Sequence, residues 1–328
     1  MQSDIFSIQS ETDFEQACIQ TFQFQYEQVE VYRKFVDFLN IDPKKVLQVE
    51  QIPFLPIEMF KNHLVLDKNF RAERYFQSSG TTAMLNRSKH WIADFHLYEA
   101  SIEKSFEQFI GSPKEFVFLG LLPNYSENNH SSLIYMVDFL MKKSHQPENG
   151  YFLYNHEDLL GILEKLSLTD RKVILFGVSF ALLDFLDFCK TKYKISFPNL
   201  IIIETGGMKG RKKEMTKDEL LYILKNDFGT DAIYSEYSMT ELLSQAYSLG
   251  NNEYSCPAWM RVLIRNVEDP FSFVKEGATG AINIIDLANI HSCSFIATQD
   301  LGKMKDGKFQ VLGRIDHSDV RGCSLLVS

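Results

Sequence analysis

No two of the five cysteines stand close together in this chain. Cys18, Cys189, Cys256, Cys293 and Cys323 are odd in number and form no CxxC pair, which argues against a disulfide framework or a cysteine-based metal site. The opening Met1-Gln-Ser-Asp lacks a basic region followed by an apolar one, so no secretory signal is read there. No apolar run reaches the roughly 20 residues that span a bilayer. The longest, Val173 to Leu186, is interrupted by Gly177, Ser179 and Asp184. A long basic block is also missing, and the formal charge is −9, which argues against a nucleic-acid surface. Glycine and proline are sparse, 17 and 9 in 328 residues, and neither an internal repeat nor a low-complexity linker interrupts the chain. These absences leave a globular, cytoplasmic, reduced protein without a transmembrane segment as the expectation.

Apolar material is plentiful, at 45% of residues, enough for a large core. From Asp13 to about Leu39, Phe14, Cys18, Phe22, Tyr26, Val29, Tyr32, Phe35 and Phe38 recur every three or four positions, a period that predicts amphipathic helices. Ile52-Pro-Phe-Leu-Pro56 breaks helix, and a short one resumes at Ile57. Buried strands are predicted at Phe116–Leu122, Tyr151–Tyr154, Lys172–Phe176, Leu200–Glu204 and Ala232–Tyr237. Helices are predicted between them, at about 92–109, 131–142, 179–192 and 219–228. Alternation of this kind predicts an α/β fold with a parallel sheet covered on both faces. After about Pro257 the texture changes to short strands with turns, at 259–264, 280–285, 294–297 and 309–312, which predicts a small β subdomain. The expected division is an α/β core over 1–256, the β subdomain over 257–312 and a terminus over 313–328.

Four separated stretches carry chemistry. Gln77-Ser-Ser-Gly-Thr-Thr-Ala83 follows an apolar Tyr75-Phe76 and precedes a helix. Gly80 gives backbone freedom, and Ser78, Ser79, Thr81 and Thr82 give hydroxyl donors, a composition suited to a polyphosphate and equally to a plain loop. Glu204-Thr-Gly-Gly-Met-Lys-Gly-Arg211 follows a parallel-type strand, where glycines let a flat ring or an acyl chain lie against backbone, or simply turn the chain into a helix. Tyr237-Ser-Met-Thr-Glu241 ends another strand. Its hydroxyl and carboxylate suit a phosphate oxygen and Mg2+, or a helix cap. Asp300, in Thr298-Gln-Asp-Leu-Gly302, could accept from two ribose hydroxyls, with Arg314 in Leu312-Gly-Arg-Ile-Asp316 near phosphate; surface turns account for either piece alone.

In this order and at these separations, the stretches resemble the adenylate-forming superfamily of acyl-CoA synthetases, firefly-type luciferases and peptide-synthetase adenylation domains. More narrowly they resemble the acyl-protein synthetase family of bacterial bioluminescence. The narrower likeness adds Pro53-Phe-Leu-Pro-Ile-Glu-Met-Phe60 and Ser235-Glu-Tyr-Ser-Met-Thr-Glu241, and covers most of the chain. The resemblance implies an adenylation-type α/β fold and an ATP- and Mg2+-dependent ligase. It activates a carboxylic acid, expected to be fatty, as an acyl-adenylate and passes it to a thiol on coenzyme A, a carrier protein or a partner enzyme. It further implies that Ser79, Gly80, Thr81 and Thr82 contact phosphates, that Gly206, Gly207 and Met208 border adenine and acyl group, and that Tyr237 stacks on the ring. Thr240 would touch the α-phosphate, Glu241 would hold Mg2+, Asp300 would bind the ribose and Arg314 would stand beside it.

There are departures. Ser238 replaces the usual Gly, and Gln299-Asp300 replaces a Gly-Asp pair. Lys89 follows the Ser/Thr stretch where a loop lysine is sought, within a sequence that fits poorly. Asp316 matches a hinge position, beyond which relatives carry a mobile domain of roughly a hundred residues. The chain given ends at Ser328, so that domain is expected to be absent, and a nucleotide- or acyl-binding subunit completed by a partner is the alternative reading. An aryl- or acyl-CoA ligase is a further one. His130, in a polar loop, is a candidate for the substrate carboxylate or an ordinary exposed histidine. Cys323 is read as a packed or exposed thiol instead of an acylation site.

Overall fold

The runs richest in β-branched and large apolar residues become the centre of a sheet. In the computed structural model, which describes residues 5–79, 87–124, 126–190, 197, 199–206 and 215–315, the chain forms two compact units. One comprises residues 75–89 and 94–257, and the other the described parts of 1–74, 90–93 and 258–328.

In the first unit, Gly150–Tyr151, Phe116–Leu121, Lys172–Val178, Leu200–Thr205 and Ile233–Tyr237 lie side by side in that order, all parallel. Ala246–Ser248 and then Tyr254–Ser255 extend the sheet antiparallel at the last of these. Phe116–Leu121 is buried along its whole length, as expected of a strand covered on both faces. The connecting helices are Phe95–Phe109, Ser132–Ser144, His156–Ser167, Ser179–Lys190 and Lys217–Phe228. Their ends follow local chemistry. Asp94 accepts from the His96 amide at 2.8 Å, and Thr216 and Glu219 form a reciprocal cap, so these two helices begin there. Gly229, at φ 64°, ends the last one in the left-handed conformation.

The chain leaves Phe116–Leu121 for the outer Gly150–Tyr151 and returns on the other side as Lys172–Val178. Ligands of open α/β sheets are commonly held at the carboxyl ends of strands beside a reversal of this kind.

The second unit is built from both ends of the described chain. Met260–Arg265, Gly280–Asp286, Phe295–Lys305 and Lys308–Arg314 form an antiparallel meander, and Leu55–Pro56 pairs parallel with Ile296 and Ala297. Gln25, wholly buried on helix Glu11–Gln28, donates to the carbonyls of Asn289 at 3.0 Å and Ile290 at 2.9 Å and accepts from the Ser294 amide at 3.0 Å.

Several expectations are refined by this fold. The helical period from Asp13 is carried by two helices, Glu11–Gln28 and Glu30–Phe38. Val29 interrupts them, extended at φ −104° and bridged to Asp67. Only Gly150–Tyr151 of the predicted Tyr151–Tyr154 neighbourhood is strand, while Phe295–Lys305 runs far beyond the predicted Ala297. No helix among the described residues is long and apolar enough to cross a membrane.

Candidate functional site

Because Leu200–Thr205 and Ile233–Tyr237 are parallel neighbours, with Thr205 opposite Glu236, their carboxyl ends open together. Gly206 follows the first and Tyr237-Ser-Met-Thr-Glu241 the second, so two of the four sequence motifs meet at one sheet edge. Gly206 takes φ +74°, which L side chains rarely adopt. Among the described residues a Cβ there would meet only Val178 Cγ1, at 3.8 Å, so none of them crowds the backbone on that side. Tyr237 is buried against Tyr254, ring centroids 5.9 Å apart. Ser238, Met239 and Thr240 are half-buried at the rim and Glu241 is buried. Gly207 and Met208 lie outside the described residues.

Beneath this edge is a set of charges that the sequence reading passed over. Glu204 is wholly buried and accepts from the Ser179 hydroxyl and the Lys217 ammonium. Burial pulls the Lys217 ammonium down, but attraction to Glu204 and Tyr254 outweighs it, and the net direction is up. Glu236, on the next strand, accepts from Thr205 Oγ1 at 2.5 Å. Burial pushes its carboxyl above the ordinary range, against the hydroxyls of Ser238 and Thr205, with Glu204 repelling and Lys217 attracting it. A readable signal existed: a carboxylate inside a run such as Leu-Ile-Ile-Ile-Glu204 is costly to bury unless it is paired or neutralised.

The Ser/Thr stretch is described only at its base. Ser79 is exposed, and Gly80, Thr81 and Thr82 lie outside the described residues. Ser78 and Ser88 bond to each other across the base, and the Gln77 amide donates to the His130 carbonyl at 2.8 Å. The His130 ring stacks on Tyr75, centroids 4.5 Å apart and 7° from parallel, and Lys89 Nζ lies 5.0 Å from the Tyr75 ring centre. His130 and Lys89 therefore share one aromatic platform beside the Ser/Thr stretch.

In the other unit, Asp300 and Arg314 are register partners on neighbouring strands, with Arg314 Nε 3.3 Å from Asp300 Oδ1. The glycine of Asp300-Leu-Gly302 has a steric reason. A Cβ at Gly302 would lie 2.6 Å from the Gln310 carbonyl oxygen, beside a register shift at Leu301. The Pro53–Phe60 motif reaches this segment as well: Leu55–Pro56 pairs with Ile296–Ala297, and Gln299 donates to Glu58. Asp316 and Cys323 lie outside the described residues.

The family model for "Acyl-protein synthetase, LuxE" matches residues 4–328. The chain belongs to the LuxE acyl-protein synthetase family. Solved structures share the fold of this chain at low identity. A 2-hydroxyisobutyryl-CoA ligase in an open conformation, in complex with 2-HIB-AMP and CoA, superposes with a TM-score of 0.71 at 12% identity, covering 94% of this chain and 70% of that one. The same ligase in the postadenylation state, in complex with 2-HIB-AMP, gives 0.71 at 13% identity, covering 93% and 68%. ATP-bound MatB from Rhodopseudomonas palustris gives 0.54 at 16% identity, covering 73% of this chain and 47% of that one. No curated protein matches the chain. The α/β architecture expected for this LuxE-family chain is thus the adenylate-forming ligase fold.

Proposed function

We propose that this protein activates a carboxylic acid with ATP and passes the acyl group to a thiol. The carboxylate oxygen attacks the α-phosphorus, the bond from that phosphorus to the α,β-bridging oxygen breaks, and pyrophosphate leaves with that oxygen and its electron pair. A thiolate then attacks the acyl carbon of the mixed anhydride, and AMP leaves with the electron pair of the broken carbon–oxygen bond. The acid is expected to be fatty, and the acceptor a thiol of coenzyme A, a carrier protein or a partner enzyme, within the cytoplasm.

The observation that carries this reading is the meeting of Gly206 and Tyr237–Glu241 at the carboxyl ends of adjacent parallel strands. The backbone at Gly206, uncrowded by the described residues, fits an adenine ring or acyl chain, with Gly207 and Met208 beside it and Tyr237 on the ring. The Thr240 hydroxyl suits an α-phosphate oxygen, and Ser79, Gly80, Thr81 and Thr82 suit the outer phosphates. Asp300 holds the ribose with Arg314 nearby, and His130 is the proposed partner of the substrate carboxylate. One buried carboxylate beside a hydroxyl fits Mg2+, which keeps waters and phosphate oxygens as most of its ligands. Glu241 would hold it, and the ion would neutralise charge developing on the phosphates. The chain's own contribution is positioning, together with fixed donors that stabilise the developing negative charge.

The test is acid-dependent exchange of labelled pyrophosphate into ATP, run across a broad panel of acids with folded protein. Exchange with at least one acid, lost in Thr240→Ala and Glu241→Ala, is expected. Silence across the whole panel overturns the catalytic claim.

A further inference from the structure

On the reading that the site activates an acid, the region one residue below the sheet edge bears on which acid it takes. Glu236 immediately precedes Tyr237 and is 2% exposed, and its Oε1 has no hydrogen-bond partner. Its register partner across the antiparallel pair is Tyr247, 1% exposed, whose hydroxyl is also unpaired. Partners in register project to the same face, so both side chains stand on the side where Thr205 meets Glu236. Gln245, two residues before Tyr247 and 1% exposed, leaves its Oε1 unpaired as well.

Helix Phe95–Phe109 covers this face. Phe106 and Phe109 lie 6.4 Å and 5.7 Å from the Tyr247 ring, Ser101 bonds to Ser244 at 3.0 Å, and the buried Ser105 hydroxyl is a fourth unpaired polar atom.

Native interiors leave few polar groups unmade, because each one costs about 1–3 kcal/mol when stranded. Glu236 and Tyr247 on one covered face, with Ser105 on the helix that covers it, one residue beneath a rim formed by Ser238, Met239 and Thr240, mark a place whose partner comes from outside the chain. An unbranched alkyl chain laid against these atoms would seal them off from water and satisfy none. Burial favours the neutral forms of both Glu236 and Tyr247, and a neutral carboxyl or phenol has an O–H as well as a lone pair.

We propose that the acid taken by this protein carries a neutral hydrogen-bonding group, a hydroxyl, keto or amide, close to its carboxylate, received by Glu236 and Tyr247. The rest of the acyl chain is free to be aliphatic, so a hydroxy fatty acid satisfies both this inference and the expectation from the sequence. Thr205 positions Glu236, since its hydroxyl donates to Oε2 and leaves Oε1 for the ligand.

The experiment pairs plain alkanoates with α- and β-hydroxy and β-keto acids of the same chain length. It reads pyrophosphate-exchange kcat/KM and, separately, calorimetric binding of each acid to the full chain. The substituted acid is expected to win by at least about tenfold in both readouts, the discrimination of a site built to bond a substrate hydroxyl. Glu236→Leu and Tyr247→Phe should bring the paired acids close to parity, while Glu236→Gln, which keeps a donor and an acceptor, should retain most of the preference. Tyr247→Phe removes only one hydroxyl and carries the test if Glu236→Leu does not fold. Equal or better use of plain alkanoates, an unchanged preference in Tyr247→Phe, or no calorimetric binding of either class overturns the proposal. Absence of exchange with preferential binding of substituted acids overturns only the activation reading.

Discussion

Ser78 and Ser88 hold each other by two hydrogen bonds: the Ser78 amide donates to the Ser88 carbonyl, and the Ser88 amide donates to Ser78 Oγ, each at 3.1 Å. The pair closes the base of the segment that carries Ser79, Gly80, Thr81 and Thr82. Ser78→Ala removes one of the two bonds and leaves Ser79, Gly80, Thr81 and Thr82, the residues proposed to contact phosphates, unchanged. A bond of this kind is worth about 1 kcal/mol, so KM for ATP in pyrophosphate exchange should rise about fivefold, with a smaller change in kcat. An unchanged KM would show that the base does not position the segment.

Asp300 and Gly302 should separate chemistry from packing. Asp300→Asn preserves volume and should weaken ATP binding, read by calorimetry, by about tenfold or more while moving the melting temperature little. Gly302→Ala forces a methyl to within 2.6 Å of the Gln310 carbonyl oxygen and 2.8 Å of Ile282 Cδ1. It should cost about 1–3 kcal/mol of stability, since a well-packed strand pair resists added volume, and should lower the melting temperature accordingly. Equal effects on ATP binding and melting in both variants would deny Asp300 a ligand role.

Glu236 makes stability depend on pH in a defined direction. Burial raises its carboxyl above the ordinary value of 4.5, so the folded chain keeps a proton that the unfolded chain releases. Between those two values the folded state binds more protons, and stability falls as pH rises through the window. Glu236→Gln carries no such proton. The melting temperature of the wild type relative to this variant should fall as pH is raised from about 4.5, then level off above the folded pKa. A difference that is flat with pH would mean Glu236 is charged in the fold.

Cys18 and Cys293 should be inert. Both are wholly buried, and burial pushes each thiol up to about 12. At neutral pH neither presents a thiolate, so iodoacetamide should label neither in the folded protein and both after denaturation. Peptide mapping reads this directly. Any acyl group found on this chain after incubation with ATP and acid should be on neither residue.

Much of the fold was legible because the signals are local. Lys172–Val178, Leu200–Thr205 and Ile233–Tyr237 are short β-rich runs with helix-length gaps, and the sheet follows from that alternation. The reach of Phe295–Lys305 was not legible, since Thr298-Gln-Asp-Leu-Gly302 reads as a turn. Its strand character comes from pairing with Gly280–Asp286 and Lys308–Arg314, residues whose contribution depends on distance in space. Val29 likewise fits the helical period and leaves the helix through its bridge to Asp67. In the site, Gly206 and Tyr237–Glu241 were visible as strand-end motifs. Glu204, Glu236 and Lys217 form a group only because register sets Thr205 beside Glu236 and brings the first residue of a helix back to Glu204. Tyr247 belongs to a short strand with no distinctive composition, and only its antiparallel pairing places it opposite Glu236.

The bonds from Gln25 to Asn289, Ile290 and Ser294 also constrain the order of events on the ribosome. Their partners are separated by 264 to 269 positions, so the amino-terminal helices emerge long before the strands they pack on have been translated. The segment 75–89 and 94–257 has its own core and can condense first, while residues before it wait until those after Pro257 have been made. A nascent chain stalled near Pro257 should therefore protect the inserted segment from protease while leaving Phe14, Phe22 and Tyr32, all deeply buried in the finished protein, open to chaperones.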